Sequence, residues 1–441
     1  MKYYDVHCHL FTHDILSRTG SSILSFLNRF LTDSKEDSCS DTDGRLRRIS
    51  GFIDTALADD ALETFKEMES VYGAHFAVCP LCMDLKYSMI DARPGDDHTA
   101  AETVAAVGSY KPDNRGSYWS FRRIVNFFSG NHYSALPNMF ADSFLSQIEE
   151  MERLKARYPD RVYPFFPVDP RRNRDCDLMA LIKQKVGPGK PFVGIKLYPA
   201  LGFSVTDPFL YGSEKGSGGL YAYCEKYSIP IVTHSGFRGY AALAKRIEIC
   251  GDIFHTESGR PVPVREIYPD GIVSFPIKEK MSEITMRGYL FNHPVLWEKV
   301  LNRYPKLYIN FAHFGGDKFI YKYIHESSTS GYYTAEILRF MAKYPNVYTD
   351  LSCFVDNGKK GYSLSEVKKE IYDKTKLSVR KKFLYGSDYF ILKFKECSLQ
   401  NYYARFREVF GSEMRKIASV NTGRFLRYGM KPKRIWRRWL W

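Results

Sequence analysis

Eight short apolar runs, rich in β-branched and aromatic residues and separated by turn and helix signals, recur along this chain, and few architectures accept that rhythm. They span Tyr3–Cys8, His75–Met83, Val162–Asp169, Phe192–Tyr198, Pro230–His234, Leu307–His313, Val347–Ser352 and Phe383–Asp388. Several are almost continuously apolar, as parallel strands covered on both faces must be. Helical periodicity fills the intervals. Phe140–Tyr158 carries Leu145, Ile148, Met151 and Leu154 at helical spacing and stops at Pro159. Pro294–Tyr304 and Tyr333–Tyr344 behave alike and are closed by Pro305 and Pro345. The alternation predicts an α/β fold, a closed (β/α)8 TIM barrel with large insertions at its C-terminal face.

The intervals are uneven. Insertions near 10–74, 84–161 and 235–306 leave from the C-terminal ends of strands, the face on which barrel enzymes build their sites, and are expected to wall a pocket. No internal repeat or linker breaks the chain, so residues 1–430 are expected to form one domain followed by a basic, Trp-rich tail at 431–441.

Composition narrows the class. With 44% hydrophobic and 26% charged residues the chain is an ordinary globular sequence, not a disordered one. No run approaches a membrane span, and the first strand begins at Tyr3, leaving no room for a signal peptide. Nine cysteines without a framework fit a reducing compartment, so a cytoplasmic location is expected. Cys79-Pro80-Leu81-Cys82 is a single pair inside an apolar run and reads as buried thiols. The net charge of +14 is partly concentrated in the tail, where Trp alternates with Arg; packing on the body or on a neighbouring subunit is expected there. No nucleic-acid motif accompanies it, so the expected partner is a small molecule, with homo-oligomerisation open.

The chemistry lies at the ends of the strands. His7 and His9 sit two apart in the first run, and alternation of side chains along a strand would turn both toward one cation. With 11 His in the chain, such a pair arises by chance in roughly one sequence in four. The company it keeps carries the argument: Lys196, His234, His313 and Asp388 each end a later strand. Imidazole nitrogens and a carboxylate suit zinc, and a position left open would make the site catalytic. Cys8 should point away from the pair and pack.

In Asp5-x-His7-x-His9, Gly194-Ile195-Lys196-Leu197-Tyr198-Pro199, Thr233-His234-Ser235-Gly236, Ala312-His313-Phe314-Gly315-Gly316, Tyr348-Thr349-Asp350-Leu351-Ser352, Tyr385-Gly386-Ser387-Asp388 and Asn421-Thr422-Gly423-Arg424-Phe425-Leu426, the chain resembles the amidohydrolase superfamily, most closely its amidohydrolase-2 branch. The resemblance implies a divalent metal, one zinc, held by His7, His9, His234 and Asp388. It also implies that Asp388 takes a proton from water and that His313 polarises the substrate or protonates the leaving group. Two-metal members carry a carboxylated strand-four lysine; the Gly-x-Lys-x-x-Pro form here implies an uncarboxylated Lys196 lining the pocket. Arg171, Arg172, Arg238 and Lys318 follow strand ends or turns, and a guanidinium fork suits a carboxylate. Lys196, Arg171 and Arg238 are the expected substrate contacts. The activity expected is hydrolysis of a C–N, lactone or ester-like bond in a small, anionic molecule. Nonoxidative decarboxylation of an unsaturated or aromatic acid is the alternative within the branch, and a non-catalytic binding scaffold the alternative outside it.

Overall fold

The computed structural model describes residues 2–10, 60–88, 143–213, 218–236, 239–276, 281–329, 331–355, 363–389, 391–395 and 397–426. The chain opens with strand β1 (Tyr3–Cys8), helix α1 (Ala61–Tyr72) and strand β2 (Phe76–Pro80). Asp60 caps α1 by accepting from the Glu63 amide, and Gly73 ends it in a positive-φ conformation. Its buried face, Ala61, Phe65, Met68 and Tyr72, follows helical spacing. Then come α2 (Ser143–Arg157), β3 (Phe165–Val168), α3 (Leu178–Lys185), β4 (Gly194–Leu197), α4 (Leu220–Tyr227) and β5 (Ile231–His234). In α2 the inward stripe is Phe144, Ile148, Met151 and Leu154, whereas Leu145 is 58% exposed. The expected stripe therefore starts one residue too late: Phe144 is four residues before Ile148, one helical turn, and Leu145 falls on the solvent side.

The interval 235–306 folds into two small antiparallel ribbons. Strands β6 (Arg246–Glu248) and β9 (Ile272–Ser274) form one, and β7 (Asp252–His255) and β8 (Arg260–Pro263) the other. With helix α5 (Met281–Asn292) they enclose their own core of Ile247, Ile253, Val262, Val273 and Phe291. The amides of Leu243 and Ala244 donate to the Ser88 carbonyl, and that of Ala242 to the Ala200 carbonyl, so this insertion leans on the ends of β2 and β4. The remainder supplies α6 (Trp297–Arg303), β10 (Ile309–Ala312), α7 (Asp317–His325), α8 (Tyr333–Lys343), β11 (Val347–Asp350), β12 (Phe383–Leu384) and α9 (Leu399–Phe410).

Strands β3, β4, β5, β10, β11 and β12 form one parallel sheet in that order, and β1 pairs parallel with β2. Bridges join the two groups at both edges. Val78 and Leu81 pair with Val162 and Phe165 on one side, and Cys8 with Tyr389 on the other. The Val6 amide donates to Tyr385 O at 3.0 Å and the Asp388 amide to His7 O at 2.7 Å. Eight parallel strands thus complete the (β/α)8 ring, each at the place expected from sequence, β1 over its full expected span and the other seven over less. The run ending in His313 stops at Ala312 because His313 adopts a φ of 63°, outside the β region, whereas the run ending in Asp388, whose φ is 60°, leaves strand geometry earlier, after Leu384.

Inside the ring Tyr4, Val6, Ala77, Phe165, Val232, Ala312, Tyr348 and Leu384 form a core plugged by Phe425 and Leu426. Gly194 makes the interior fit: a Cβ there would lie 2.4 Å from the Phe165 ring. Among the described residues no helix is long and apolar enough to cross a membrane. The expected tail 431–441 and most of the first two insertions lie outside the described residues.

Candidate metal centre

Strand β1 does not reach its two histidines by plain alternation. Val6 points into the barrel core, while Asp5 points outward to accept from the Tyr72 hydroxyl at 2.9 Å. Strict alternation would then turn His7 outward. The register with β2 slips between Asp5 and Cys8, and it is Cys8 that joins the outer layer with Leu10 and Phe65. His7 and His9 both emerge at the mouth, ring centroids 5.5 Å apart.

Asp388 meets them from the other side of the seam. Its Oδ1 lies 3.4 Å from Nε2 of His7 and 3.4 Å from Nε2 of His9. Each imidazole is oriented through its other nitrogen. His9 Nδ1 donates to the Leu81 carbonyl at 2.8 Å, and His7 Nδ1 faces Asp350 Oδ2 at 3.1 Å. Both acceptors lack a proton, so each ring carries its hydrogen on Nδ1 and offers an Nε2 lone pair. Nε2 of His7 is buried with no hydrogen-bond partner, a state that costs free energy unless something electrophilic completes it.

The donor set fits a divalent metal. Two atoms about 2.0–2.1 Å from one zinc ion at a tetrahedral angle stand about 3.3–3.4 Å apart, which is the observed spacing from Asp388 to each histidine. Burial lowers the His9 imidazole below its ordinary value and His234 well below it, so both are neutral and able to ligate near pH 7. Burial alone would raise the Asp388 carboxyl, but the facing imidazoles of His313 and His7 hold it well below the usual range.

A second cluster adjoins the first. Ligand-type atoms of His7, His313 and Asp350 lie within 4.8 Å of one another. Asp350 is fully buried and accepts from the backbone amides of His313 at 3.0 Å and Ser352 at 3.2 Å, and from Asn310 Nδ2 at 2.7 Å. The Ser352 hydroxyl donates to Asp350 Oδ1 and stands 2.8 Å from His313 Nδ1. Burial pushes the His313 imidazole down to about 4. His313, Phe314, Cys353 and Asp388 all hold positive φ, a concentration of backbone strain at the ring's chemical end.

Asp5 braces the same corner. Its carboxylate accepts from the Ser387 amide at 2.9 Å and hydroxyl at 2.5 Å, tying the residue two before His7 to the residue before Asp388. Asp5, Asp350 and Ser352 received no role from sequence. A carboxylate or hydroxyl at a strand end was the available signal, and Thr349-Asp350-Leu351-Ser352 carried it.

The other expected residues are placed as follows. His234 ends β5 with its ring 4.9 Å from His313 and 4.1 Å from Tyr198; a Cβ on Gly239 would lie 3.0 Å from its Nε2. It borders the His7, His9 and Asp388 group, whose ligand atoms share one sphere without it. Lys196 is buried, with Nζ 5.6 Å from the Tyr198 ring; burial lowers its ammonium to about 8, opposed by Asp350 and Asp388. Arg171 grips Asp169 through Nε at 2.9 Å and NH2 at 2.6 Å and also donates to the Leu201 and Tyr87 carbonyls, so its fork is engaged in wall-building. Arg172 does likewise with buried Asp84. Arg238 lies outside the described residues.

Comparison with known proteins adds a family match. The family model described as amidohydrolase matches residues 147–427. No curated protein sequence matches the chain. Among solved structures it is similar to an uncharacterised TIM-barrel protein of Bordetella bronchiseptica, at 14% identity and TM-score 0.45, over 98% of this chain and 100% of that one. It is similar to a dihydroxybenzoic acid decarboxylase of Polaromonas solved with manganese and 2-nitroresorcinol, at 12% identity and TM-score 0.47, over 97% of each chain. A third is a probable 2-pyrone-4,6-dicarboxylic acid hydrolase of Acinetobacter baumannii with citric acid bound, at 11% identity and TM-score 0.42, over 97% of this chain and 100% of that one.

Proposed function

Since this chain belongs to the amidohydrolase family of metal-dependent enzymes, with a match over residues 147–427, we propose that it is a hydrolase of a C–N, lactone or ester-like bond in a small anionic molecule. The observation that carries the reading is the pair of oriented Nε2 lone pairs on His7 and His9, each 3.4 Å from an ionised Asp388. His7, His9 and Asp388 would hold one divalent cation, zinc by donor chemistry, with His234 completing the set from β5. Such a cation supplies an activated water at neutral pH and polarises a carbonyl.

The side chains do the rest. Asp388 receives the proton of the attacking water, and His313 carries a proton to the leaving group, a general acid–base task suited to an imidazole that is neutral at rest. Lys196, buried beneath the mouth and cationic below about pH 8, offers a counter-charge to a substrate carboxylate. Arg171 stays with Asp169 as wall, and Arg238 is a further cation that the sequence offers to the substrate.

The test is metal analysis of the purified protein followed by a panel of small lactones, amides and esters bearing a carboxylate, scored for acid or amine release, alongside unsaturated and aromatic acids scored for CO₂. Stoichiometric metal with acid or amine release supports the reading. CO₂ release without hydrolysis replaces it with decarboxylation, and absence of metal after chelation and repletion replaces it with a binding scaffold.

A further inference from the structure

The Ser352 hydroxyl faces three groups, Asp350 Oδ1, His313 Nδ1 at 2.8 Å and His7 Nδ1 at 3.2 Å, and its single hydrogen can serve only one of them. Asp350 accepts on Oδ1 from two backbone amides, His313 N and Ser352 N, and on Oδ2 from Asn310 Nδ2 at 2.7 Å. The two backbone amides cannot reverse, so Oδ1 of Asp350 is an acceptor. The Ser352 hydroxyl therefore gives its hydrogen to Asp350 Oδ1 and presents only lone pairs to His313 Nδ1, 2.8 Å away. An imidazole nitrogen facing a lone pair at that distance must carry the hydrogen itself.

We infer that Ser352 is a positioning residue that fixes His313 as the Nδ1–H tautomer, leaving Nε2 as the bare nitrogen that exchanges protons with the reacting molecule. The inference rests on the hydrolase reading only for what His313 does with that nitrogen. The tautomer itself follows from the hydrogen-bond directions. It sets the order of events: His313 at rest must first take a proton on Nε2 before it can give one, so the proton that Asp388 receives from the attacking water has to pass to that nitrogen before it enters the leaving group. Asp350 couples the two histidines, since Oδ2 orients His7 and Oδ1, through Ser352, orients His313. Burial is complete enough to keep water from substituting for the hydroxyl: Ser352 is 1% exposed and Asp350 0%.

Nitrogen-15 spectra of histidine-labelled, metal-free protein read the tautomer without substrate, with the His313 signals identified by their loss in His313→Gln. The wild-type protein should show His313 protonated on Nδ1. Ser352→Ala should move His313 toward the Nε2–H form and, because Asp350 Oδ2 still holds His7 Nδ1, leave metal content and the melting profile near wild type. On any substrate turned over it should lower kcat about tenfold or more, part of the 10²–10⁴ that a general acid–base group provides, with KM within about twofold. Ser352→Cys, which retains a weak donor and acceptor, should fall between. An Nε2–H tautomer in the wild-type protein overturns the inference, as does an unchanged tautomer in both variants. Should no hydrolysis be found while the tautomer moves as stated, the positioning role stands and the hydrolase reading falls.

Discussion

A Cβ placed on Gly386 would lie 2.7 Å from the Cβ of His7 and 3.2 Å from that of Ser352. The seam between the first and last strands therefore closes around a residue with no side chain, and the metal-facing histidine occupies the space a side chain would need. Gly386→Ala must push His7 aside, while Asp350 holds the far nitrogen of that ring. We expect overpacking to cost about 1–3 kcal/mol of stability. Metal affinity should fall about 10- to 100-fold, the usual effect of disturbing a ligand's support. Competition with a chelator and thermal melting would measure both; wild-type metal affinity in the folded variant would show that His7 is not a ligand.

Replacement of both His7 and His9 by Ala should abolish metal retention and leave the ring folded, because the layered core of Tyr4, Val6, Phe165 and Tyr348 lies below the mouth. Metal content by elemental analysis together with far-ultraviolet circular dichroism checks this. Full metal occupancy in the folded double variant refutes the assignment.

His313→Asn should retain the metal and lose turnover by a factor on the order of 10² to 10⁴. Loss of the metal would instead make His313 a ligand, and unchanged turnover would remove it from the reaction.

A pH-dependent prediction comes from Asp207, which caps the short helix Pro208–Tyr211 by accepting from the Phe209 amide. Burial raises its carboxyl to about 6, against about 3.9 in an unfolded chain. The folded state then holds more protons than the unfolded state between those values, so stability falls as pH rises from about 4 to about 6. Asp207→Asn keeps the cap and removes the titration. Allowing for its partial exposure, the variant should gain on the order of 1–2 kcal/mol at pH 7 and nothing below pH 4. Denaturant melts at both pH values decide it, and equal gains at both would exclude the mechanism.

The ring was legible in the sequence because parallel strands need apolar residues on both faces, and all eight runs produced strands. His7, His9 and Asp388 were legible by residue type and order, and the structure brings them together. Alternation along a regular strand does not by itself bring the histidine pair together: the register slip after Asp5 is what turns His7 inward. Arg171 read as a substrate contact because sequence shows a free cation and not its partner, whereas Asp169, two residues earlier, occupies its fork. Asp350 and Ser352 were hidden for a related reason. Their work depends on which neighbour each hydrogen faces, and spacing along one strand carries no information about residues 37 and 39 positions away.

The seam also fixes a timetable. Asp5 and Ser387, 382 positions apart, meet where β1 closes on the last strand. A polypeptide made from its N-terminus produces His7 and His9 well before the carboxylate that faces them, because Asp388 follows most of the strands of the ring. Contacts of such long range are the slowest to form, because the intervening chain must be ordered before they repay its entropy. Local pairings such as β10 with β11 can assemble well beforehand. The arrangement of His7, His9 and Asp388 around one point is therefore completed only after the strands between them have been made.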